Sequence, residues 1–316
     1  MFDIISVGGA TTDVFVRVKG EIEKIHGHLD VCLSVGSKLL IEELKFDTGG
    51  AGTNTAVSFS RLGLKTGWIG VLGSDHNSAM IADCMKKEKV SFLGEQKSGN
   101  VGYSVILTGL KKDRTILYYR GINDQLLKFK NSKTKWYYFG SLLGKSFETG
   151  KKLAVFAKKN KIPFAFNPST YLAKKGISYL RPFLDGCSVL VLNLEEAKLL
   201  LKNISSTTEM LKKLNNYSKI VVITDGSKGV IAFDGKHKYT VFPGKVPVVE
   251  TTGAGDAFAS GFVSGLIMKY PIEKALQLAV ANSESVIQHI GAKNNLLFRK
   301  DLRKIKARRV EKCLLA

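Results

Sequence analysis

Four apolar runs decide the fold: WYYFG (136–140), PFAF (163–166), SVLVLN (188–193) and KIVVIT (219–224). Each is short, rich in β-branched and aromatic residues, and reads as a buried strand. Between and after them lie longer stretches with helical spacing, 147–160, 194–202 and 206–215. Strand and helix in alternation imply βαβ units, hence a parallel sheet covered on both faces. Toward the N-terminus, DIISVG (3–8) reads as another strand, closing on Gly8 and Gly9. A helix ending at Gly63, a strand over Thr66–Leu72 and a helix over Asn77–Lys87 follow. Toward the C-terminus come a hairpin-like pair, GVIAF and KYTVF, and two long helices over 254–269 and 272–289. The fold class expected is α/β, with a mainly parallel central sheet flanked by helices.

Two segments break the rhythm. Residues 13–46 hold short alternating stretches, VFVRV and LDVCLSV. Residues 99–121 hold VGYSVILT and RTILYYR joined by GLKKD, a hairpin signal. Both flank glycine-rich turns, so they predict a small β-sheet lid over a site. The core is then 1–12, 47–98 and 122–298, the lid 13–46 and 99–121, and 299–316 a basic tail.

Composition narrows the function classes. The chain has 316 residues, 44% apolar and 24% charged, which excludes general disorder. No uncharged apolar run reaches the ~18 residues of a membrane span. The N-terminus carries Asp3 and no basic region, so it does not read as a secretion signal, and a cytoplasmic location is expected. Cys32, Cys84, Cys187 and Cys313 form no CxxC pair, and mostly buried free thiols are expected. The five histidines make no HExxH or HxxxH pair. Net charge is +21. Its lysines recur on presumed helix faces, as at Lys151, Lys152, Lys158 and Lys159, and read as a solvated surface rather than a nucleic-acid site. The densest cluster runs from Arg299 to Lys312, with eight basic residues against Asp301 and Glu311. It lacks aromatic interleaving, so it predicts polyanion contact at most.

Chemistry concentrates in four segments. In Glu250-Thr251-Thr252-Gly253-Ala254-Gly255-Asp256, small residues precede a helix, so backbone N–H groups converge on one spot and form an anion cradle. Asp256 stands beside it, where a carboxylate can take the proton of an attacking hydroxyl. The plainer reading is a glycine turn with an acid in the first helical turn. In Gly49-Gly50-Ala51-Gly52-Thr53-Asn54, Asn54 opens a helix, and its amide can both donate to and accept from sugar hydroxyls. An N-cap after a loop is the alternative. Asn193-Leu194-Glu195-Glu196 follows a strand end, and locally an N-cap with first-turn acids explains it best. Thr224-Asp225-Gly226-Ser227-Lys228-Gly229 also follows a strand, and a plain Asp-Gly turn is its alternative. Gly140–Ser146 is no phosphate-binding P-loop, because Phe139 stands where that pattern needs glycine. No GxGxxG follows the first strand.

Taken in order, these segments resemble the ribokinase-like (PfkB) carbohydrate kinase family, from about residue 3 to 298. GGAGTNTA looks like its first signature and ETTGAGDAF like its second; Asp13, Asn193-x-x-Glu196 and Thr224-x-Gly226 also match. The resemblance implies Asp256 as the base and Gly253, Ala254 and Gly255 as the anion hole. It implies Asp13, Gly49, Gly50 and Asn54 on the sugar, with Arg120 and Asn123 where the lid meets it. Asn193, Thr224, Gly226, Gly229, Thr252 and Asn282 would serve the nucleotide, Asn282 at the adenine. Glu196 would organise Mg2+ through water. The second signature usually begins with aspartate, and Glu250 stands there. In members with a monovalent-cation site that acid helps build it, so a K+ ligand at Glu250 would sit on an arm one methylene longer.

The implied activity is transfer of the γ-phosphoryl group of ATP to a primary alcohol of a small sugar, ribose first. The alternatives are a nucleoside kinase, a phosphosugar kinase and a catalytically silent binding module. A nucleoside needs apolar lid walls, for which Val14, Phe15, Val16, Tyr103, Ile106 and Tyr118 are candidates. The lid edges also predict a homodimer.

Overall fold

The computed structural model describes residues 1–315 except 19–20, 26–27, 34, 111–112, 126, 130–131 and 203. Its main sheet has ten strands. From one edge these are Val310–Leu314, His237–Val241, Val230–Phe233, Ser218–Thr224, Cys187–Asn193, Phe164–Phe166, Tyr137–Phe139, Ile4–Val7, Thr66–Ile69 and Ser91–Phe92. Ser218–Thr224 and every strand beyond it toward Ser91–Phe92 run parallel. The last three at the other edge are antiparallel.

Period-2 alternation sorts the strand side chains into two cores. Ile5, Val7, Tyr137, Phe139, Phe164, Phe166, Leu190 and Leu192 pack on one face, under helices Lys145–Lys159, Gly176–Leu184, Leu194–Leu201 and Thr207–Asn215. Ile4, Tyr138, Ala165, Val189 and Val191 pack on the other, against Ala254–Ile267 and Ile272–Val286. Both faces are therefore dry, which is why these runs lack polar alternation. The Ala254–Ile267 helix is buried nearly all round, and small residues at Gly261 and Gly265 bring Ile272–Val286 close: a Cβ on Gly265 would lie 2.7 Å from that of Ala275.

The lid is a separate four-stranded sheet, ordered Asp113–Tyr119, Gly102–Leu110, Thr11–Val18, Ile41–Gly49. Gly102–Leu110 runs parallel to Thr11–Val18, and its other partner is the expected hairpin strand. A further hairpin, Glu21–Ile25 with His28–Cys32, extends from it.

Three expectations change. The strand over Thr66–Leu72 breaks at Gly70, and Val71–Leu72 leaves the main sheet to pair with Glu95–Gln96. The tail is not an appendage: Val310–Leu314 pairs antiparallel with His237–Val241 and closes that edge of the sheet. It is anchored by Arg308, whose guanidinium pairs with the buried Glu284. Of the four thiols only Cys187 is buried; Cys313 is exposed.

Candidate active site

The site lies at the carboxyl ends of the parallel strands, the general ligand position of such sheets. Gly8 and Gly9 follow one strand, Asn193 and Thr224 end two others, and the helices Ala51–Arg61 and Ala254–Ile267 begin here. The first and second glycine-rich segments, some two hundred residues apart, meet through one bond. Asn54 Nδ2 donates to Asp256 Oδ2 at 2.8 Å.

Each partner is positioned by its helix. Gly50 caps the Ala51–Arg61 helix, and its carbonyl accepts the Asn54 N–H at 2.9 Å. Gly253 caps the Ala254–Ile267 helix at φ 79°, a left-handed conformation that favours glycine. A Cβ there would also lie 2.6 Å from that of Ala292. Asp256 falls in the first turn, where N–H groups lack intrahelical partners. The N–H of Ala254 already bonds the Thr251 carbonyl at 3.2 Å, so Gly255, exposed and with open space beside it, is the accessible member of the cradle. Glu250 Oε1 accepts both the N–H and the hydroxyl of Thr252, at 2.8 and 2.7 Å, and so pins the turn that enters the cradle.

Asp13 reaches the same place from the lid. It is buried, and Thr11 Oγ1 donates to it at 2.8 Å. Gly49 makes room for it: a Cβ at 49 would lie 1.9 Å from Asp13 Oδ2. Burial pushes the Asp13 carboxyl above the usual range; hydrogen bonds from Thr11 and Ser104 and the charge of Lys293 oppose this. Asp256 is likewise pushed up by burial, drawn down by Asn54 and Lys293, and pushed up again by the charge of Asp13. A carboxylate displaced toward neutrality is the right kind of general base.

Lys293 was not among the residues the sequence singled out. It is only 3% exposed, and its Nζ donates to Asn54 Oδ1 at 2.9 Å and to the carbonyl of Thr48. Its sequence signal, the Gly291-Ala292-Lys293 turn after the last long helix, is weak in a chain so rich in lysine.

The second group lies beside the first. Asn193 and Thr224 are direct neighbours in register across two parallel strands. Asn193 and Glu196 form a reciprocal capping box, Asn193 Oδ1 accepting the Glu196 N–H at 2.8 Å and Glu196 Oε2 the Asn193 N–H at 3.0 Å. Burial pushes the Glu196 carboxyl up to about 7, and the charge of Asp256 adds to the rise. Gly226 opens a short 3-10 turn with open space beside it; the turn closes on Gly229, whose carbonyl accepts the Asp225 N–H at 2.9 Å.

Three further residues are held by partners within the fold. Asn282 is fully buried; its Nδ2 donates to the Ala257 carbonyl at 2.8 Å and bonds Ser58 Oγ at 3.0 Å, and its Oδ1 accepts the Leu297 N–H at 3.0 Å. It knits helices together. Asn123 turns both amide ends to Ala10, accepting its N–H at 3.2 Å and donating to its carbonyl at 2.7 Å. It shapes the Gly9–Ala10 turn. Arg120 pairs with Asp124 at 3.1 Å and lies 4.5 Å over the Tyr171 ring.

Lid register sorts the proposed apolar walls. Phe15, Ile106 and Tyr118 share the face of Asp13, whereas Val14, Val16 and Tyr103 point the other way. Leu44, Phe46, Leu117 and Tyr119 stand exposed on that opposite face.

Among the described residues no cluster of three His, Cys, Asp or Glu could hold a metal. Magnesium usually binds through one or two carboxylates plus substrate phosphates, and Glu196, a desolvated carboxylate that a nearby divalent cation would keep ionised, fits that role. No helix among the described residues is long and apolar enough to cross a membrane.

The pfkB family carbohydrate kinase model matches residues 20–298. A ribokinase of Lactococcus lactis is 31% identical over 281 residues, covering 83% of this chain and 87% of that protein. The adenosine kinase of Sinorhizobium meliloti shares the fold with a TM-score of 0.82 at 18% identity, covering 96% of this chain and 99% of that one. Arabidopsis thaliana ribokinase, solved with ribose and ATP, has a TM-score of 0.80 at 20% identity, over 96% of this chain and 98% of that one.

Proposed function

Because the chain belongs to the pfkB family of carbohydrate kinases, we propose that it transfers the γ-phosphoryl group of ATP to the primary alcohol of a small sugar, with ribose the first choice. The observation that carries this reading is the 2.8 Å bond from Asn54 to Asp256 at the head of the cradle helix, with Asp13 beside it.

Asp13, Gly49, Gly50 and Asn54 hold the sugar hydroxyls and present the acceptor oxygen to Asp256. Asp256 takes its proton as the oxygen attacks. Gly253, Ala254 and Gly255 form the cradle for the transferring phosphoryl group, where charge develops, and Gly255 supplies its accessible backbone N–H. Asn193, Thr224, Thr252, Gly226 and Gly229 border the nucleotide. Magnesium, when bound near Glu196, neutralises phosphate charge. Potassium has thinner support, since Glu250 Oε1 is already committed to Thr252.

A nucleoside acceptor is the second reading, favoured by Phe15, Ile106 and Tyr118 on the Asp13 face. A phosphosugar has less behind it, because Arg120 is paired with Asp124. A homodimer goes with either acceptor, a second copy covering Leu44, Phe46, Leu117 and Tyr119 on the outer lid face. A monomer in sedimentation at micromolar concentration would refute it.

The test is ADP release with ATP and magnesium against ribose, fructose, fructose 6-phosphate, 2-keto-3-deoxygluconate, adenosine, inosine, guanosine and cytidine. Ribose turnover is expected. Turnover of nucleosides alone would promote the second reading. Silence on every acceptor with ATP still bound would indicate a binding module.

A further inference from the structure

We propose that Lys293 is a positioning residue that fixes the Asn54 amide and, through it, the orientation of Asp256. The inference rests on Asp256 being the base.

The geometry is a line of three side chains. An ammonium can only donate, so Asn54 must turn its carbonyl oxygen to Lys293. The 2.9 Å bond from Nζ to Asn54 Oδ1 does this. The amide can then offer only N–H to Asp256, as the 2.8 Å bond to Oδ2 shows. Reversed, Asn54 would set its oxygen against the Asp256 carboxylate, a repulsive contact. With Oδ2 held by Asn54, Oδ1 is the oxygen left to receive the acceptor proton. The other Lys293 bond, to the Thr48 carbonyl, ties the line to the lid strand that carries Gly49, the residue packed on Asp13.

Charge supports the same role. A buried ammonium is expensive unless it is paired. The anionic groups facing Lys293 are Asp13 and Asp47 from the lid and Asp256 from the cradle helix, with the Cys84 thiol on the His76–Lys87 helix beside it. Asp256 in turn faces Asn54, Lys293 and Asp13, and its charge reaches Tyr138 and Glu196. Two carboxylates thus share one desolvated site with one internal cation. Removing that cation raises the proton affinity of both.

Two variants test this, Lys293→Met, which removes charge and donor, and Lys293→Gln, which keeps a donor. The exposed Lys151→Gln controls for net charge. For Lys293→Met we expect kcat to fall about 10²-fold, the scale of a misplaced catalytic group. In both variants the acid limb of the kcat profile moves up by about one pH unit, the effect of losing a nearby opposite charge. On an Asn54→Ala background, Lys293→Gln should change kcat by no more than about threefold, because residues acting as a unit are not additive. A merely structural lysine would lower the folded fraction without moving the acid limb.

A readout without turnover separates this from the kinase reading. In carboxyl-labelled protein, the Asp256 resonance, assigned with Asp256→Asn, should titrate at higher pH in Lys293→Gln. An unmoved titration would overturn the proposal even if the enzyme phosphorylates ribose. A moved titration in a chain silent on every acceptor would support the line while removing the kinase assignment. Should both variants fail to fold, the nitrogen resonance of Lys293 in the native chain decides. A protonated ammonium in contact with the Asn54 amide at pH 7 is expected, and a neutral amine there would sink the idea.

Discussion

Asp256 and Glu196 are two acids raised by burial, and they ask for opposite tests. Asp256 must be ionised to act, so Asp256→Asn should lower phosphoryl transfer by about 10² to 10⁴, the usual worth of a general base. Nucleotide binding, followed by calorimetry, should persist; retained turnover would remove Asp256 as the base. Glu196 is pushed from 4.5 to about 7, so the folded chain holds a proton that the unfolded chain has released between those values. Stability without nucleotide and magnesium should therefore fall as pH rises from about 4.5 to about 7. Glu196→Gln should flatten part of that slope in thermal melts. An unchanged slope would mean that Glu196 titrates normally. Gly49→Ala belongs to the same scale. Its Cβ must displace the Asp13 carboxylate, so KM for the acceptor should rise far more than KM for ATP.

Elements explain what was and was not legible beforehand. The strands WYYFG, PFAF, SVLVLN and KIVVIT were readable because both faces of a parallel sheet are dry, and buried strands leave a continuous apolar signal. Asp256 and Asn54 stand out in the sequence because glycine clusters mark the starts of their two helices. Asn282, a polar residue on a helix, satisfies its amide inside the helix layer, which no local pattern announces. Lys293 gave no usable sign, since burial, not identity, sets it apart. Asn193 forms a capping box at a strand end, beside the proposed nucleotide site. Asn193→Ala should thus cost about 0.5–2 kcal/mol in denaturant unfolding and also weaken ATP binding. Loss of one without the other would separate the two roles.

At the scale of the molecule, the lid sheet is tied to the α/β core by side-chain hydrogen bonds. The lid strand Ile41–Gly49 is fastened to the turn after the last long helix by Lys45 Nζ to the Ile290 carbonyl at 3.1 Å, Asn294 Nδ2 to Asp47 Oδ2 at 3.0 Å, and Lys293 to Thr48. At the far edge, the strand Val310–Leu314 hides in a lysine- and arginine-rich run, and its hydrogen bonds came from the open edge of His237–Val241, which no local pattern announces. Arg308→Ala should leave Glu284 buried and unpaired, at about 3–5 kcal/mol, lowering the denaturant midpoint. A neutral result would mean that Glu284 finds water.

The strand Ile4–Val7 precedes both of its neighbours in the chain, yet it sits deep within the sheet between Tyr137–Phe139 and Thr66–Ile69. During synthesis it therefore waits for Thr66–Ile69 on one side and, more than a hundred residues beyond its own end, for Tyr137–Phe139 on the other. An apolar strand left open over that interval is a segment that a nascent-chain chaperone would bind.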